Sequence, residues 1–190
     1  MNFDHFGFLA PFYDRVIGSR AFERLISLAG LPIEGSLLDA GGGTGRVTES
    51  LRGLAGKLVV ADASHGMLRQ ALTKGGLVPV CSLVEILPFA SNEFDRIVIV
   101  DALHHVHSQK ATADELWRVL APGGRLVIEE PDVRRLAVKF VAIAEKIALM
   151  RSHFLAPDEI AKLFTQQEAE IEIVDDGFNA YVIVKKQSLD

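Results

Sequence analysis

Short apolar runs recur along the chain, and the segments between them carry apolar residues at helical spacing. The runs cover residues 36–40, 57–62, 77–83, 94–101, 125–130, 169–176 and 179–186. Several are almost continuously apolar, which predicts strands that are buried on both faces of a parallel sheet. Helical segments between successive strands indicate βαβ units with right-handed crossovers. We therefore predict a doubly wound α/β fold with helices on both faces of the sheet.

The last two runs depart from this alternation of strand and helix. They are joined through Asp175, Asp176 and Gly177, and a connection this short joins antiparallel neighbours as a hairpin. The prediction is a seven-stranded sheet, mostly parallel, with one antiparallel strand from the C-terminal hairpin. A length of 190 residues without repeats or a long linker suits a single domain over residues 1–190.

Composition and charge narrow the classes of protein. Hydrophobic residues make up 49% of the chain and charged residues 24%, which is an ordinary globular balance. The formal net charge of -5 argues against nucleic acid as a partner. Cys81 is the only cysteine, so an intramolecular disulfide and a thiolate metal site are excluded and a cytoplasmic location is expected. Charged residues interrupt the most apolar stretch, residues 136–150, so we expect no stable membrane insertion.

The first predicted strand runs into a glycine-rich segment that opens into a helix. Such a segment presents unpaired N–H groups at the carboxyl edge of the sheet and lets a ligand lie directly on the main chain. The dinucleotide fingerprint G-x-G-x-x-G fails, because Arg46 stands where its last glycine would fall. No Gly-Lys-Ser/Thr of a phosphate-binding P-loop follows either. An NAD-dependent dehydrogenase is therefore disfavoured.

What remains is the spacing Asp39-x-Gly41-x-Gly43-x-Gly45, which resembles the first motif of the class I S-adenosylmethionine-dependent methyltransferases. Three later segments, ADASHGMLRQA, LPFASNEFDRIVIVDALHHV and WRVLAPGGRLVIEEP, resemble in order the branch that includes the ubiquinone and menaquinone biosynthesis methyltransferases and their small-molecule relatives. The resemblance covers residues 35–131. It implies a Rossmann-like fold, S-adenosylmethionine as cofactor, and methyl transfer to a small-molecule acceptor by direct displacement at the sulfonium.

The resemblance also implies which residues bind the cofactor. The set is Asp39, Gly41, Gly43, Gly45, Asp62, Ala63, Met67, Val84 and Asp101. Asp62 is expected to accept both ribose hydroxyls, and Asp39 and Asp101 to face the positively charged methionine end. Met67 is expected against the adenine. A loop-capping role for Asp39 and a plain core position for Met67 are the alternatives.

One position departs from the family pattern. Relatives commonly have an acid four residues before the L-P-F triplet, where it binds the adenine amino group, and here that residue is Leu83. The backbone N–H near Val84 is then the remaining contact to the ring. This departure is the feature that favours an alternative function, a non-catalytic S-adenosylmethionine-binding protein.

Three histidines follow the fourth predicted strand, at the edge where an open α/β sheet binds its ligand. His104, His105 and His107 lie too close together in sequence to face one ion, so no metal is expected. His104 and His105 are candidates for a base or a hydrogen-bond donor to the acceptor, and packing or capping is their alternative. Tyr13 is a candidate lid residue, with plain packing as the alternative.

Two accessory segments complete the prediction. Residues 1–30 are expected to form a helical lid, and residues 132–165 a helical insertion near the substrate crevice. The apolar surface of the insertion would cover the crevice or meet a second copy of the chain in a homodimer. Carbon methylation of a lipid quinone precursor is the named alternative for the acceptor.

Overall fold

The computed structural model describes residues 22–135, 138 and 152–188. Its elements in chain order are α1 (Glu23–Ala29), β1 (Ser36–Ala40), α2 (Arg46–Ser50), β2 (Lys57–Asp62), α3 (His65–Thr73), β3 (Val78–Cys81), β4 (Phe94–Val100), a 3-10 helix (Leu103–His105), α4 (Gln109–Val119), β5 (Leu120–Pro131), α5 (Pro157–Ala161), β6 (Ala169–Asp176) and β7 (Asn179–Lys186). Tyr13, most of the predicted lid and the middle of the predicted insertion lie outside the described residues.

The strands form one sheet in the order β3-β2-β1-β4-β5-β7-β6. The first five strands pair in parallel, whereas β7 runs antiparallel to both β5 and β6. The hairpin closes with Asp176 opposite Asn179, so Gly177 and Phe178 form its turn. The prediction of a mostly parallel seven-stranded sheet with one antiparallel strand is confirmed.

The sheet separates two hydrophobic cores. Leu25 of α1 and Val47 of α2 pack on one face, and Leu116 of α4 and Ile160 of α5 pack on the other. The central strands β1, β2 and β4 are buried over nearly their whole length, as their continuous apolar runs predict. The edge strands β3 and β6 are more exposed.

Two of the segments that carry the family resemblance are bonded to each other. Glu115 in α4 accepts the backbone N–H of Leu87 at 2.8 Å. Arg118, one turn later, donates to the carbonyl of Phe89 at 2.9 Å and to Glu115 at 2.7 Å. These bonds fix the loop before β4 against α4, so this part of the motif pattern holds the fold together.

The direction of winding reverses beside β1, because β2 lies on one side of it and β4 on the other. Open α/β sheets bind ligands at such a point, outside the carboxyl ends of the strands. The glycine loop after β1, the end of β2 and the loop after β4 all reach this edge.

Candidate functional site

A cavity of about 500 Å³ opens at this edge of the sheet, within the usual size range for cofactor and small-molecule sites. Of the nine residues predicted to bind the cofactor, the structure brings eight to its wall. They are Asp39, Gly41, Gly43, Asp62, Ala63, Met67, Val84 and Asp101. Their role in binding stays a prediction.

The glycine loop leaves open space where a side chain would otherwise stand. Gly43 has a φ of +55°, and a Cβ there would lie 3.9 Å from both the Asp62 Oδ2 and the Met67 Sδ atoms. Gly41 is more confined, with a φ of +71° and only 2.8 Å from its hypothetical Cβ to the Ala102 side chain. Glycine at both positions avoids left-handed strain, and at Gly43 it also keeps the space beside Asp62 open for a ligand.

Gly45 is the ninth predicted residue, and it does not line the cavity. Its φ is +71°, and a Cβ would lie 2.8 Å from Leu77 Cδ1 and 3.3 Å from Ala71 Cβ. Glycine at this position permits close packing of the loop against α3 and the segment before β3, and the predicted cofactor contact of Gly45 stays a prediction.

Asp62 is held in one orientation by two loops. Its Oδ2 accepts the backbone N–H of Gly43 at 2.9 Å, and its Oδ1 accepts the backbone N–H of Ser64 at 2.7 Å. Ser64 also caps α3, because its hydroxyl accepts the N–H of Met67. A carboxylate held in this orientation is a suitable acceptor for hydroxyl groups of a ligand, because each of its oxygens has two lone pairs.

Asp39 is almost fully buried, with 1% of its surface exposed. Burial raises the pKa of its carboxyl to about 6, partly offset by hydrogen bonds from Thr48. The Thr48 hydroxyl donates to Asp39 Oδ2 at 2.5 Å. Asp39 therefore both connects β1 to α2 and lines the cavity, where a nearby cation would favour its ionised form.

The end of the cavity next to β3 is built by residues 82–85. The backbone N–H of Ser82 donates to the carbonyl of Asp62 at 3.0 Å, which places this segment beside β2. Leu83 lines the cavity and is 48% exposed, whereas Val84 is buried. Glu85, which the sequence analysis missed, also lines the wall and accepts the N–H of His107 at 2.7 Å. Its carboxylate joins this end of the cavity to the histidine loop.

Asp101 follows β4 with a left-handed φ of +52°. Its backbone N–H donates to the carbonyl of Glu129 at 2.9 Å. Non-glycine residues in this conformation are uncommon, although Asp is among those that tolerate it, and such residues cluster at functional sites.

The two histidines predicted as catalytic have different environments. His105 lines the cavity, and burial together with the neighbouring His104 lowers its pKa to about 3. Its imidazole is therefore neutral near pH 7 and a weak base. The Ser152 hydroxyl lies 3.3 Å from His105 Nδ1, so the C-terminal half of the predicted insertion, residues 132–165, reaches this wall.

His104 is not among the residues that line the cavity, and its contact with the acceptor stays a prediction. It is 4% exposed, its Nδ1 lies 2.5 Å from Glu130 Oε2, and its ring stacks on Phe154 at 4.2 Å between centroids. These contacts give His104 a packing and positioning role.

Glu130, at the end of β5, is a residue that sequence reasoning missed. Besides His104, it accepts the backbone N–H groups of Ala102 and Leu103 at 3.0 and 2.7 Å. It thereby fixes the loop that carries Asp101 and His105. An acid at the carboxyl end of a buried strand was the signal that could have found it.

The described residues were also compared with what a metal site and a membrane-spanning helix require. Within these, no group of three or more His, Cys, Asp or Glu side chains is placed to hold a metal ion. None of the helices in the same part of the chain is long and apolar enough to cross a membrane.

The amino-acid sequence is similar to those of known methyltransferases. The family model described as "Methyltransferase domain" matches residues 38–128. The ubiquinone/menaquinone biosynthesis C-methyltransferase of Hahella chejuensis is 37% identical over 115 residues, covering 55% of this chain and 46% of that protein. The protein of the same name from Salmonella arizonae is 31% identical over 169 residues, covering 74% and 67%. The chain thus spans less than half the length of the first of these relatives.

Solved structures show the same fold at lower identity. The protein that forms a complex with the methyltransferase activator Trm112 in Haloferax volcanii has a TM-score of 0.82 at 17% identity, covering 98% of this chain and 100% of that one. An S-adenosylmethionine-dependent methyltransferase from Thermotoga maritima has a TM-score of 0.73 at 18% identity, covering 96% and 100%. These structures show a shared fold, and the Salmonella relative, in agreement with the family model, shows that the chain belongs to the class I S-adenosylmethionine-dependent methyltransferases.

Proposed function

We propose that the chain binds S-adenosylmethionine in the cavity of about 500 Å³ and transfers a methyl group to a small-molecule acceptor. The observation that supports this most is the Asp62 carboxylate, held by the N–H groups of Gly43 and Ser64 beside the open space at Gly43. The cofactor, when bound, supplies a methyl group that its sulfonium already activates.

The proposed roles of the chain's own residues follow from their places in the cavity. Asp62 accepts hydrogen bonds from the ribose hydroxyls, and Met67 and Val84 pack at the adenine end. Asp39 and Asp101 meet the positive charges of the methionine end. Gly41, Gly43 and Ala63 let the ligand approach the main chain. The space above Gly43, which a Cβ would fill, supports this fit.

His105 is the proposed contact to the acceptor. It lines the cavity, and its neutral imidazole can donate or accept a hydrogen bond. A pKa of about 3 makes it a poor general base, because efficient bases have pKa values near the working pH. Orientation and exclusion of water by the residues around the cavity are therefore proposed as the main contribution of the protein.

A quinone precursor is the second candidate acceptor. The names of the relatives support it, and the Salmonella protein aligns over 169 residues. A ring carbon must lose a proton during methylation, which requires a base, and His105 is a weak one. We therefore place this candidate below an unspecified small molecule. Methylation of a quinol lacking one ring substituent, with a new carbon-bound methyl detected by mass spectrometry, would reverse this order.

Calorimetric titration with S-adenosylmethionine, S-adenosylhomocysteine and NAD tests the proposal. We expect binding of the first two and none of NAD. Asp62→Ala should weaken the binding of both by about 1–3 kcal/mol, because two hydroxyls lose a charged partner. Asp114→Asn, at an exposed position on α4, is the matched control. Binding of NAD alone, or unchanged affinity in Asp62→Ala, would contradict the proposed site.

Turnover separates the enzyme from a non-catalytic binding protein. The enzyme should form S-adenosylhomocysteine in an acceptor screen, whereas a binding protein would hold the cofactor without consuming it. The cytoplasmic location and the homodimer stay predictions from the sequence.

A further inference from the structure

The segment that precedes α5 is fixed to the 3-10 helix after β4. The N–H of His153 donates to the carbonyl of His104 at 2.7 Å, and the side-chain amide of Gln109 donates to the carbonyl of His153 at 2.6 Å. The Phe154 ring stacks on the His104 ring with 4.2 Å between centroids. These contacts of the two residues that follow Ser152 hold its side chain beside the histidine loop.

The Ser152 hydroxyl contacts the imidazole of His105. Its oxygen lies 3.3 Å from His105 Nδ1, at the long end of the hydrogen-bond range. His105 lines the cavity, so a residue of the cavity wall is bonded through one ring nitrogen to the predicted insertion. Ser152 is partly buried, and its hydroxyl makes no second hydrogen bond within the part of the chain that the structure describes.

This hydrogen bond determines which nitrogen of His105 carries the proton. Burial and the neighbouring His104 lower the pKa of His105 to about 3, so its ring is neutral near pH 7. A neutral imidazole has one donor and one acceptor nitrogen, and the partner of one nitrogen fixes the state of the other. A proton on Nδ1 would leave the Ser152 hydroxyl proton without an acceptor among the described residues, which is unfavourable in a partly buried place. A proton on Nε2 lets Nδ1 accept from the hydroxyl, and both groups are satisfied.

We propose that Ser152 is a positioning residue whose hydroxyl donates to His105 Nδ1, holds the proton of the ring on Nε2, and so makes His105 a hydrogen-bond donor to the methyl acceptor. The inference rests on the proposed function, in which His105 contacts the acceptor. It favours acceptors that present a carbonyl, ether or hydroxyl oxygen, and it disfavours groups that only donate, such as an ammonium. In this role His105 takes up no proton and orients the acceptor.

Nitrogen-15 NMR of the imidazole rings tests the tautomer, because protonated and unprotonated ring nitrogens have well-separated chemical shifts. At pH 7 the unmodified chain should show His105, assigned with His105→Asn, with an unprotonated Nδ1 and a protonated Nε2. In Ser152→Ala the two shifts should move towards each other as the tautomers mix. Ser152→Thr keeps the hydroxyl and should restore the original pattern. Ser27→Ala, which removes an exposed hydroxyl on α1, is the matched control and should leave the pattern unchanged.

Two probes that differ in one oxygen test the donor role of His105. Acetophenone and α-methylstyrene have nearly the same shape, but only acetophenone has a carbonyl oxygen. Each is titrated into the chain saturated with S-adenosylhomocysteine and followed by the His105 Nε2 signal. Acetophenone should bind about 2- to 10-fold more tightly, which corresponds to one hydrogen bond. Ser152→Ala should remove this preference, and Ser152→Thr should keep it.

The outcomes separate the proposed parts. A proton on Nδ1 in the unmodified chain, or an unchanged tautomer in Ser152→Ala, would overturn the role of Ser152. The first of these results needs no variant and holds even if Ser152→Ala fails to fold. The absence of a preference for acetophenone in the unmodified chain would overturn the donor role of His105. Failure of S-adenosylhomocysteine to bind would instead overturn the proposed function, and the tautomer would still be measured in the free chain.

Discussion

At the scale of single residues, Gly43 and Gly53 allow the effect of a side chain on backbone strain to be distinguished from its effect on ligand binding. Both glycines have a left-handed φ, +55° and +74°. A Cβ at Gly53 would meet nothing within 4 Å, whereas one at Gly43 would lie 3.9 Å from Asp62 and Met67 at the cavity wall. The two positions are therefore matched in strain and differ in what an added methyl group would obstruct.

We predict that Gly43→Ala and Gly53→Ala lower the free energy of unfolding by similar amounts, about 1 kcal/mol each, because alanine is disfavoured at positive φ. Only Gly43→Ala should weaken S-adenosylmethionine binding, since its methyl group points into the space beside Asp62. Urea unfolding and calorimetry measure the two effects. Equal cofactor affinity in both variants would mean that the ligand does not pass over Gly43.

His105 gives a second prediction at this scale. Burial and the neighbouring His104 lower its pKa from 6.5 to about 3. We therefore expect the His105 imidazole to stay neutral from pH 5 to pH 8. An NMR titration of the ring signals, assigned with His105→Asn, measures this directly. A titration midpoint near 6.5 would show that the ring is solvated and can act as a general base.

At the scale of elements, the Glu130 carboxylate joins β5 to the 3-10 helix. It accepts two backbone N–H groups of the loop after β4 and contacts His104. Residues 152–154 pack on the same helix: the N–H of His153 donates to the carbonyl of His104 at 2.7 Å. The loop that carries Asp101 and His105 is thus held by β5 and by residues 152–154 of the predicted insertion.

Glu130→Gln tests this connection. The amide keeps one acceptor oxygen but turns an NH₂ group toward His104, so at least one charge-assisted hydrogen bond is lost. We predict a decrease of about 1–3 kcal/mol in the free energy of unfolding, measured with urea. Glu170→Gln, which removes an exposed ion pair with Lys185, should leave it nearly unchanged, because water screens exposed ion pairs. An equally small effect at both positions would mean that Glu130 does not hold the loop.

Elements built from local patterns were predictable, and contacts that depend on strand register were not. The buried strands followed from continuous apolar runs, because this signal lies within a few neighbouring residues. The bond between His104 and Glu130 spans 26 positions. It exists only because β4 and β5 pair with Val100 opposite Glu129. The family pattern located most of the cavity wall but gave no packing reason for Gly45.

At the scale of the whole molecule, the strand order creates the site. Because β1 lies between β2 and β4, the loops after these three strands converge although they are far apart in sequence. The same arrangement buries the side chain of Asp39, near the end of β1, against α2. An ionised carboxylate at this buried position destabilises the folded state, unless a cation in the cavity compensates for its charge.

The destabilising effect of ionised Asp39 should appear in the pH dependence of the free energy of unfolding. The pKa of Asp39 is about 6 in the folded chain, against an ordinary value of 3.8, so between these values the folded chain holds a proton that the unfolded chain has released. The contribution of Asp39 to stability is therefore fully present below about pH 4 and is lost as the pH rises through about 6. Linkage places the total change at roughly 3 kcal/mol.

Asp39→Asn isolates this contribution, because asparagine can still accept the Thr48 hydrogen bond but cannot ionise. Urea titrations measure the free energy of unfolding of both proteins. The value for the unmodified chain minus the value for Asp39→Asn should decrease as the pH rises from 4 to 7. A difference independent of pH would contradict the raised pKa.

Saturating S-adenosylmethionine should add more stability to the unmodified chain at pH 7 than at pH 5, because a positively charged ligand binds best when Asp39 is ionised. Asp39→Asn should lose this pH dependence of ligand stabilisation, since it presents no charge at either pH.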